Sequence, residues 1–403
     1  MKEIECTWMS LKLKSPFVLA SLTMMSNVNI VEHINYYVKA MEFGAGAIVL
    51  PSINPTFLGS SEQNQSVIDS LIFDTGLNKN HKMGFAVLGP TMPNIISVNY
   101  GLELAKRLVI QANAVPVIGS ITNIGEEKQI ISAAEKLSNA GVDAIELNFS
   151  CPNVKVKNDN QYVLSNDILK KIRNVVDIPI SLKITPYEDY SEIINNLSGE
   201  INGLTLSNAY IGLVPPNIKE PYSPFRKNEM WSPSGVYGPF ERLLTFYQLY
   251  KYRSIADEKN LDIACVGGLV SPEECVQAIL LGANIVQLSS AVLWNGLEIF
   301  NDFYSFIKKH FNDNNISGIS EIKGKALKYV TSSANELGAG KLLKMKIDQE
   351  QCKKCNSCLC CNRLCVAISQ SEDKTVTINK ELCSGCGWCY NRCIHNAIIK
   401  CES

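Results

Sequence analysis

The stretch ELNFSCPN, residues 146–153, ends an apolar run abruptly in small polar groups around one cysteine. It closes a candidate strand, AIELNFS at 144–150, and helical patterns such as EEKQIISAAEKLSNAG at 126–141 separate this strand from the others. Seven further apolar, β-rich runs occur: FVLASL at 17–22, GAIVLPS at 46–52, VPVIGSI at 115–121, ISLKIT at 180–185, GLTLSNA at 203–209, IACVGG at 263–268 and IVQLSSA at 285–291. Eight buried strands alternating with helices predict an α/β fold, the (β/α)8 TIM barrel. A doubly wound open sheet is the alternative, but no GxGxxG follows the first strand.

The ends of these candidate strands are repeatedly polar or small. Because the active site of such a barrel lies at the carboxyl ends of its strands, the groups there are candidate site residues. The small residues after strands seven and eight have exposed backbone N–H groups that can hold a phosphate. The polar and small strand ends are Asn148, Ser150 and Cys151 on strand four, Lys183 on strand five, Ser207 and Asn208 on strand six, Gly267 and Gly268 on strand seven, and Ser289 and Ser290 on strand eight.

Composition limits the class of protein. The 403 residues are 46% hydrophobic, and 38 basic against 39 acidic residues give a net charge of −1. This balance provides no basic surface for nucleic acid or for an acidic membrane, so a small-molecule partner is favoured. Glu3 and Glu5 stand where a secretion signal needs basic residues, and no apolar run reaches the ~18 residues of a membrane span. We therefore expect a cytoplasmic protein.

The cysteines are concentrated at one end of the chain. Of fifteen, four lie in the first 340 residues and eleven in the segment from Cys352 to Cys401. In a reducing compartment, clustered thiols more often bind metal than form disulfides. The shift predicts a domain boundary near residue 345, with a barrel over residues 1–345 and a small two-cluster, ferredoxin-like domain over residues 346–403.

The spacing within the tail is that of a two-cluster bacterial ferredoxin, with intervals of two, two and three residues occurring twice. In that arrangement the fourth thiolate of each run binds the other cluster. A pair of zinc sites is the alternative, because CxxC pairs also bind zinc. Val366 and Ile394 replace the usual prolines, and the surplus Cys352 and Cys360 leave the register of the first run open, with Cys352 a possible substitute ligand. The predicted sets are Cys355, Cys358, Cys361 and Cys393 for one [4Fe–4S] cluster, and Cys383, Cys386, Cys389 and Cys365 for the other.

The motifs LNFSCPN, SLKITP, TLSNA, GG and QLSSAV, followed by the ferredoxin-type tail, resemble the dihydroorotate and dihydropyrimidine dehydrogenase family. The layout is most similar to members with flavin and iron–sulfur clusters in one subunit, as in bacterial dihydropyrimidine dehydrogenase. The resemblance implies FMN in the barrel, hydride exchange between the flavin N5 and a pyrimidine carbon, and Cys151 as the acid or base at the neighbouring carbon. It further implies flavin contacts from Ala20, Ser21, Asn148, Lys183, Gly235, Val266, Gly267, Gly268, Ser289 and Ser290, and substrate contacts from Asn148, Ser150, Asn153, Ser207 and Asn208.

Two features leave the substrate open. Pro51 stands where the family usually has a flavin-contacting lysine, and Asn153 resembles the dihydroorotate branch whereas the tail resembles the dihydropyrimidine branch. The alternatives are a rewired electron-transfer flavoprotein with a different substrate and a tRNA-dihydrouridine synthase-like enzyme, although the latter needs a basic surface.

The clusters also imply an electron partner. The chain has no nicotinamide-binding fingerprint, so we expect a separate NAD(P)H-dependent reductase subunit or a soluble ferredoxin, and a homo-oligomer is possible.

Overall fold

The computed structural model describes residues 4–22, 29–60, 71–74, 85–88, 95–150, 164–213, 216, 218–219, 233–333, 343–361 and 365–401. The chain forms two compact units, Met1–Lys328 and Tyr329–Ser403. Within the described ranges, no helix is both long enough and apolar enough to cross a membrane.

The first unit is a closed parallel barrel of eight strands, which confirms the predicted (β/α)8 fold. Each strand pairs with the strands before and after it in sequence, and the pairing of the last strand with the first places Val286 opposite Phe17 and completes the ring. The barrel strands are β1 (Phe17–Leu19), β2 (Ala47–Ile53), β3 (Val117–Thr122), β4 (Ala144–Asn148), β5 (Ile180–Ile184), β6 (Gly203–Leu206), β7 (Asp262–Val266) and β8 (Ile285–Leu288).

Helices surround the barrel and bury apolar faces against it. Their starts carry local signals: before the helix Pro272–Leu280, for example, Ser271 accepts a hydrogen bond from the backbone N–H of Glu274, and Pro272 occupies the first helical position. The helices are α1 (Ile30–Glu42), α2 (Val98–Gln111), α3 (Glu127–Asn139), α4 (Asn166–Arg173), α5 (Ser191–Asn195), α6 (Arg242–Glu258), α7 (Pro272–Leu280), α8 (Ser290–Asn295), α9 (Ile299–Asp313) and α10 (Ile319–Ile322), with 3₁₀ turns at Pro239–Glu241 and Leu327–Tyr329.

Strands outside the barrel were not predicted. Four of them form an antiparallel sheet: Leu71–Asp74, Phe85–Leu88, Tyr210–Gly212 and Ser234–Tyr237. A fifth, Ile95–Ile96, pairs with β2. This sheet joins the segment between β2 and β3 to the segment between β6 and β7, because Val236 pairs with Leu88.

An N-terminal hairpin closes the end of the barrel opposite the carboxyl ends of its strands. Its strands are Cys6–Trp8 and Leu11–Leu13, and the backbone N–H of Met9 between them donates to Asp262 Oδ2 at the start of β7 (2.6 Å). One buried apolar cluster joins the hairpin to six barrel strands: Trp8, Met9, Leu13, Val18, Ala47, Val49, Ile118, Ala144, Ala264 and Ile285.

A β-bulge interrupts β2 at the proline noted in the sequence. Val49 lies opposite Ile118 and Ser52 lies opposite Ser120, so two residues of β2, Leu50 and Pro51, face a single residue of β3. A bulge is one of the few places where a sheet accepts proline, which has no N–H to donate. The extra residue also shifts the alternation of side chains, so that Ser52 follows Val49 on the inner face of the barrel.

Over residues 343–361 and 365–401, the second unit contains two small antiparallel sheets and two short helical turns. Its apolar core centres on Ile368 and Val376, with Ile347, Leu359 and Ile378 packed against them. The elements are strands Lys344–Ile347 with Ile398–Cys401, strands Ile368–Gln370 with Val376–Ile378, the 3₁₀ turn Ser357–Cys361 and helix α11 (Trp388–Arg392).

Candidate functional site

A buried polar network fills the middle of the barrel above the apolar cluster. Glu146 Oε2 on β4 accepts hydrogen bonds from Thr205 Oγ1 on β6 (3.0 Å) and Gln287 Nε2 on β8 (2.9 Å). Ser181 Oγ on β5 lies 2.9 Å from Thr205 Oγ1. Lys183 Nζ lies 3.5 Å from Glu146 Oε1, and both side chains are almost fully buried. A buried ion pair of this kind fixes the position of the ammonium group, because neither charge can turn toward water.

A second polar network lies one layer higher, at the carboxyl ends of the strands. Asn148 Nδ2 donates to Ser52 Oγ (3.0 Å), which lies 2.7 Å from Ser120 Oγ. Asn208 Nδ2 donates to both Asn148 Oδ1 and Ser150 Oγ (2.9 Å each). These contacts hold two amide groups side by side at the barrel mouth. Such a pair can recognise the alternating N–H and C=O groups of a flat ring, since each amide carries both donor and acceptor.

The other residues predicted to contact substrate lie at the same end of the barrel or outside the described residues. Ser207 is buried directly after β6, and its Oγ donates to the carbonyl oxygen of Asn208 (2.9 Å). Cys151 and Asn153 lie outside the described residues. Ser150, the residue directly before Cys151, is held by a hydrogen bond from Asn208.

Residues predicted to contact the flavin lie after β1, β7 and β8. The backbone N–H of Ala20 donates to the carbonyl of Leu288 (3.0 Å), and Ser21 Oγ lies 3.4 Å from Ser52 Oγ. Val266 ends β7, and the half-buried Ser289 and buried Ser290 follow β8. Gly235 instead lies in the antiparallel sheet, paired with Ile211.

The glycine pair after β7, called the glycine cradle below, packs too closely against the start of α6 for any side chain to fit. Gly267 and Gly268 both adopt left-handed conformations, with φ of 124° and 72°. A Cβ on Gly268 would lie 2.5 Å from the backbone nitrogen of Arg242 at the start of α6, and one on Gly267 would lie 2.6 Å from Thr245 Oγ1. Only glycine therefore fits at either position. The glycine cradle, the buried ammonium of Lys183 and the amide pair together are suited to hold a flavin mononucleotide.

Glu241 is a buried carboxyl beside this cradle. Burial raises the pKa of Glu241 to about 8, while backbone N–H groups of Gly238 and Tyr210 and the charge of Lys183 act in the opposite direction. Its Oε2 accepts from the Gly238 N–H (3.4 Å). In the part of the chain that is described, three buried atoms along this side of α6 have no hydrogen-bond partner: Glu241 Oε1, Thr245 Oγ1 and Gln248 Oε1.

The second unit holds two small cavities, and each is surrounded by thiols. Among the described side chains, no group of three or more His, Cys, Asp or Glu is placed to hold a single metal ion. A cubane is bound at separate iron corners, so thiols spread around a cavity fit it better than they fit one zinc ion. The first cavity is lined by Cys352, Cys355, Cys358 and Cys393, the second by Cys365, Cys383, Cys386 and Cys389.

The structure thus brings together all four thiols predicted for one cluster and three of the four predicted for the other. Cys352 accompanies those three, whereas the side chain of Cys361 lies outside the described residues.

Several site residues were missed from the sequence. Glu146 stood in the first stretch quoted and carried a usable signal, because it alternates with Asn148 and Ser150 and so shares their face of the strand. The same alternation links Gln287 to Ser289. Glu241 carried no comparable signal, since it follows no predicted strand.

Comparisons with known proteins agree with this site. A sequence model described as "Dihydroorotate dehydrogenase" matches residues 90–311, more than half of the chain, and one described as "4Fe-4S binding domain" matches residues 376–399. The catalytic subunit of dihydroorotate dehydrogenase B (NAD(+)) from Thermoplasma acidophilum is 27% identical over 359 residues, covering 81% of this chain and 100% of the relative. The corresponding subunit from Methanocaldococcus jannaschii is 28% identical over 292 residues, covering 70% and 87%. Dihydroorotate dehydrogenase A (fumarate) from Limosilactobacillus reuteri is 31% identical over 184 residues, covering 44% and 56%.

The barrel, its polar mouth and the thiol-lined tail are therefore parts of one oxidoreductase. It acts on CH–CH groups and carries a [4Fe–4S] ferredoxin region, and the chain belongs to the dihydroorotate dehydrogenase family.

Proposed function

We propose that this protein interconverts a pyrimidine and its 5,6-dihydro form at an FMN-binding barrel in residues 1–345. Thiols in residues 346–403 would hold two [4Fe–4S] clusters, which would supply a path for electrons between the flavin and an external carrier. The dihydroorotate dehydrogenase family binds FMN, and when bound the flavin supplies or accepts the hydride at one carbon of the C5–C6 bond. The observation that carries the proposal is the pair of amides held at the barrel mouth.

Those amides suit a pyrimidine because its edge alternates amide N–H and carbonyl groups. Asn148 is held from below by Ser52 and from the side by Asn208, so its amide cannot rotate freely. Asn208 donates to Asn148 and Ser150 and accepts from the backbone N–H of Ala209 (2.9 Å). We assign both asparagines, with Ser150, Asn153 and Ser207, to binding the ring. Groups held in place before binding lose less entropy when the ligand arrives.

Lys183 is assigned to the flavin. Its ammonium group is held against Glu146 and lies near Glu241. The positive charge of Lys183 partly offsets the rise that burial causes in the pKa of Glu241. A fixed positive charge in this buried setting stabilises negative charge that develops on a bound ring system. We place the flavin phosphate at Val266 to Gly268, Ser289 and Ser290, with Ala20, Ser21 and Gly235 as further contacts.

Cys151 is assigned to the proton. Saturating the C5–C6 bond requires a proton at one carbon as well as a hydride at the other, and a thiol with an ordinary pKa of about 8.5 can give or take that proton near neutrality. The assignment is supported by the sequence position of Cys151 directly after Ser150, which Asn208 holds at the mouth.

The electron partner is proposed to be a separate NAD(P)H-dependent reductase subunit or a soluble ferredoxin. A flavin exchanges electrons in pairs and each cubane passes one, so clusters are useful as a path to another protein. The name of the Thermoplasma acidophilum relative describes a catalytic subunit of an NAD(+) enzyme, which supports a partner subunit here.

The proposal is tested by anaerobic reconstitution with FMN, iron and sulfide, followed by a screen of uracil, thymine, dihydrouracil and dihydroorotate. The flavin absorbance reports reduction or reoxidation directly. We expect at least one dihydro compound to bleach the flavin, or its unsaturated partner to restore the colour. The Asn208→Ala variant should need a far higher concentration of that compound for the same change in flavin absorbance. The Lys309→Ala variant, changed on the exposed surface of α9, should match the wild type. If all four compounds leave the flavin spectrum unchanged, the pyrimidine assignment is wrong.

A further inference from the structure

The two halves of the second unit repeat the same backbone path 31 residues apart. The N–H of Cys352 donates to the carbonyl of Asp348 (3.0 Å), and the N–H of Cys383 donates to the carbonyl of Asn379 (3.1 Å). The side chains of Asp348 and Asn379 each accept from the backbone N–H two residues on, at 3.0 and 2.9 Å. Each half therefore begins with the same turn, and the turn leads directly to Cys352 in one half and to Cys383 in the other.

Left-handed residues occur at the same places after that turn. Lys354 and Asn356 have φ of 51° and 63°, and Gly385 and Gly387, 31 residues later, both have φ of 75°. Non-glycine residues adopt this region rarely, so two such matches identify equivalent positions. The register predicted from cysteine spacing equates Cys355 with Cys383 instead. It would place the left-handed positions at residues 357 and 359, and neither is left-handed.

The helical turns have the same offset. The 3₁₀ turn begins at Ser357 and α11 begins at Trp388, so Cys358 and Cys389 are each the second residue of a turn. Six residues follow Cys358 before Cys365, whereas three follow Cys389 before Cys393. The first half therefore has three more residues between its third and fourth thiols than the second half has. Because of these residues, the interval pattern of two, two and three appears to begin at Cys355 and not at Cys352.

We infer that Cys352, Cys355, Cys358 and Cys393 are the ligands of the first cluster, and that Cys361 is not a ligand. This inference rests on the proposed function, in which the tail holds two clusters. The same four thiols line the first cavity, and the second cavity has the equivalent set, which is three thiols of the second half with Cys365 of the first. In the same register Cys360 and Cys361 correspond to Asn391 and Arg392, so neither takes the place of a thiol in the second half.

The experiment compares Cys352→Ala, Cys361→Ala and Cys360→Ala in the full chain, purified without oxygen. Iron per chain and the low-temperature electron paramagnetic resonance spectrum of the reduced protein are measured. Wild type should hold on the order of eight irons and show two interacting reduced clusters. Cys361→Ala and Cys360→Ala should match it. Cys352→Ala should lose about one to four irons, because one corner of a cubane is unprotected, and its spectrum should show one intact cluster.

The FMN content of each variant shows whether the barrel has folded, so a loss of iron at normal FMN content is confined to the second unit. Cys352→Ser, which keeps a weak ligand, should recover part of the iron. Loss of iron in Cys361→Ala, or full iron in Cys352→Ala, overturns the inference while leaving the two-cluster function intact. A wild-type tail without iron refutes both.

Discussion

Replacing Glu241 by glutamine should change how the stability of the barrel depends on pH. The side chain is 2% exposed, and burial raises its pKa from 4.5 to about 8. The folded protein therefore keeps this proton up to about pH 8, whereas the unfolded chain releases it near pH 4.5. Because the unfolded state binds fewer protons between these values, this group makes stability fall as the pH rises from 4.5 to 8. Glutamine has the same shape and does not titrate.

The size of the effect is best measured above pH 6.5. Burial lowers the pKa of His33 from 6.5 to about 4, so His33 makes stability rise with pH below 6.5 and opposes Glu241 there. Above pH 6.5 only the Glu241 contribution of the two remains. Between pH 6.5 and 8 the free energy of unfolding of the wild type should fall by about 1.5 to 2 kcal/mol relative to that of Glu241→Gln. One proton contributes at most about 1.4 kcal/mol for each pH unit. For a unit of this size, Met1–Lys328, that corresponds to roughly 2 to 3 °C in Tm.

The assay is thermal unfolding of wild type and variant at pH 6.5 and 8, at one ionic strength and one scan rate. Equal FMN and iron contents must be verified, because a ligand stabilises the state that binds it. Glu258→Gln, an exposed change at the end of the same helix, serves as the control and should follow the wild type. A Tm difference between wild type and Glu241→Gln that is the same at both pH values would refute the reasoning.

Three further outcomes are expected. Lys183→Met should destabilise the barrel by about 3 to 5 kcal/mol by leaving Glu146 unpaired, and adding Glu146→Gln should restore most of the Tm; equal Tm for the single and double variants would contradict this. Gly267→Ala should lower FMN content and cost about 1 to 3 kcal/mol, because its Cβ meets Thr245 Oγ1 at 2.6 Å; normal flavin content and Tm would argue against the cradle. Cys151→Ala should reduce turnover by ~10² to 10⁴ with FMN and iron unchanged, and wild-type turnover would exclude it as the proton donor.

The barrel could be predicted from the sequence because its strands are buried on both faces and therefore read as apolar runs. The polar mouth could be predicted too, since strand ends are visible where such runs stop. The antiparallel sheet could not, because the pairing of Val236 with Leu88 joins segments far apart in the chain and neither segment has a strong pattern.

Local spacing also misleads where two registers compete. The interval pattern starting at Cys355 matches a ferredoxin run, and so do the first three thiols starting at Cys352. Backbone conformation distinguishes the two, because the left-handed positions of Lys354 and Asn356 follow the second register. The amino-acid sequence does not reveal these left-handed positions, since neither Lys354 nor Asn356 is glycine.

The bulge in β2 has a consequence for how this chain is compared with its relatives. In a regular strand the residue two after Val49, which is Pro51, would point into the barrel. Because the bulge adds one residue between Val49 and Ser52, the hydroxyl of Ser52 points inward instead, while Ile53 still pairs with Ile121. Evolution can thus exchange the group that lines a barrel by lengthening a strand, with no substitution at the exchanged position. A column-by-column alignment would compare Pro51 with the lysine expected there from the family resemblance, although the side chain that occupies the inner face here belongs to Ser52.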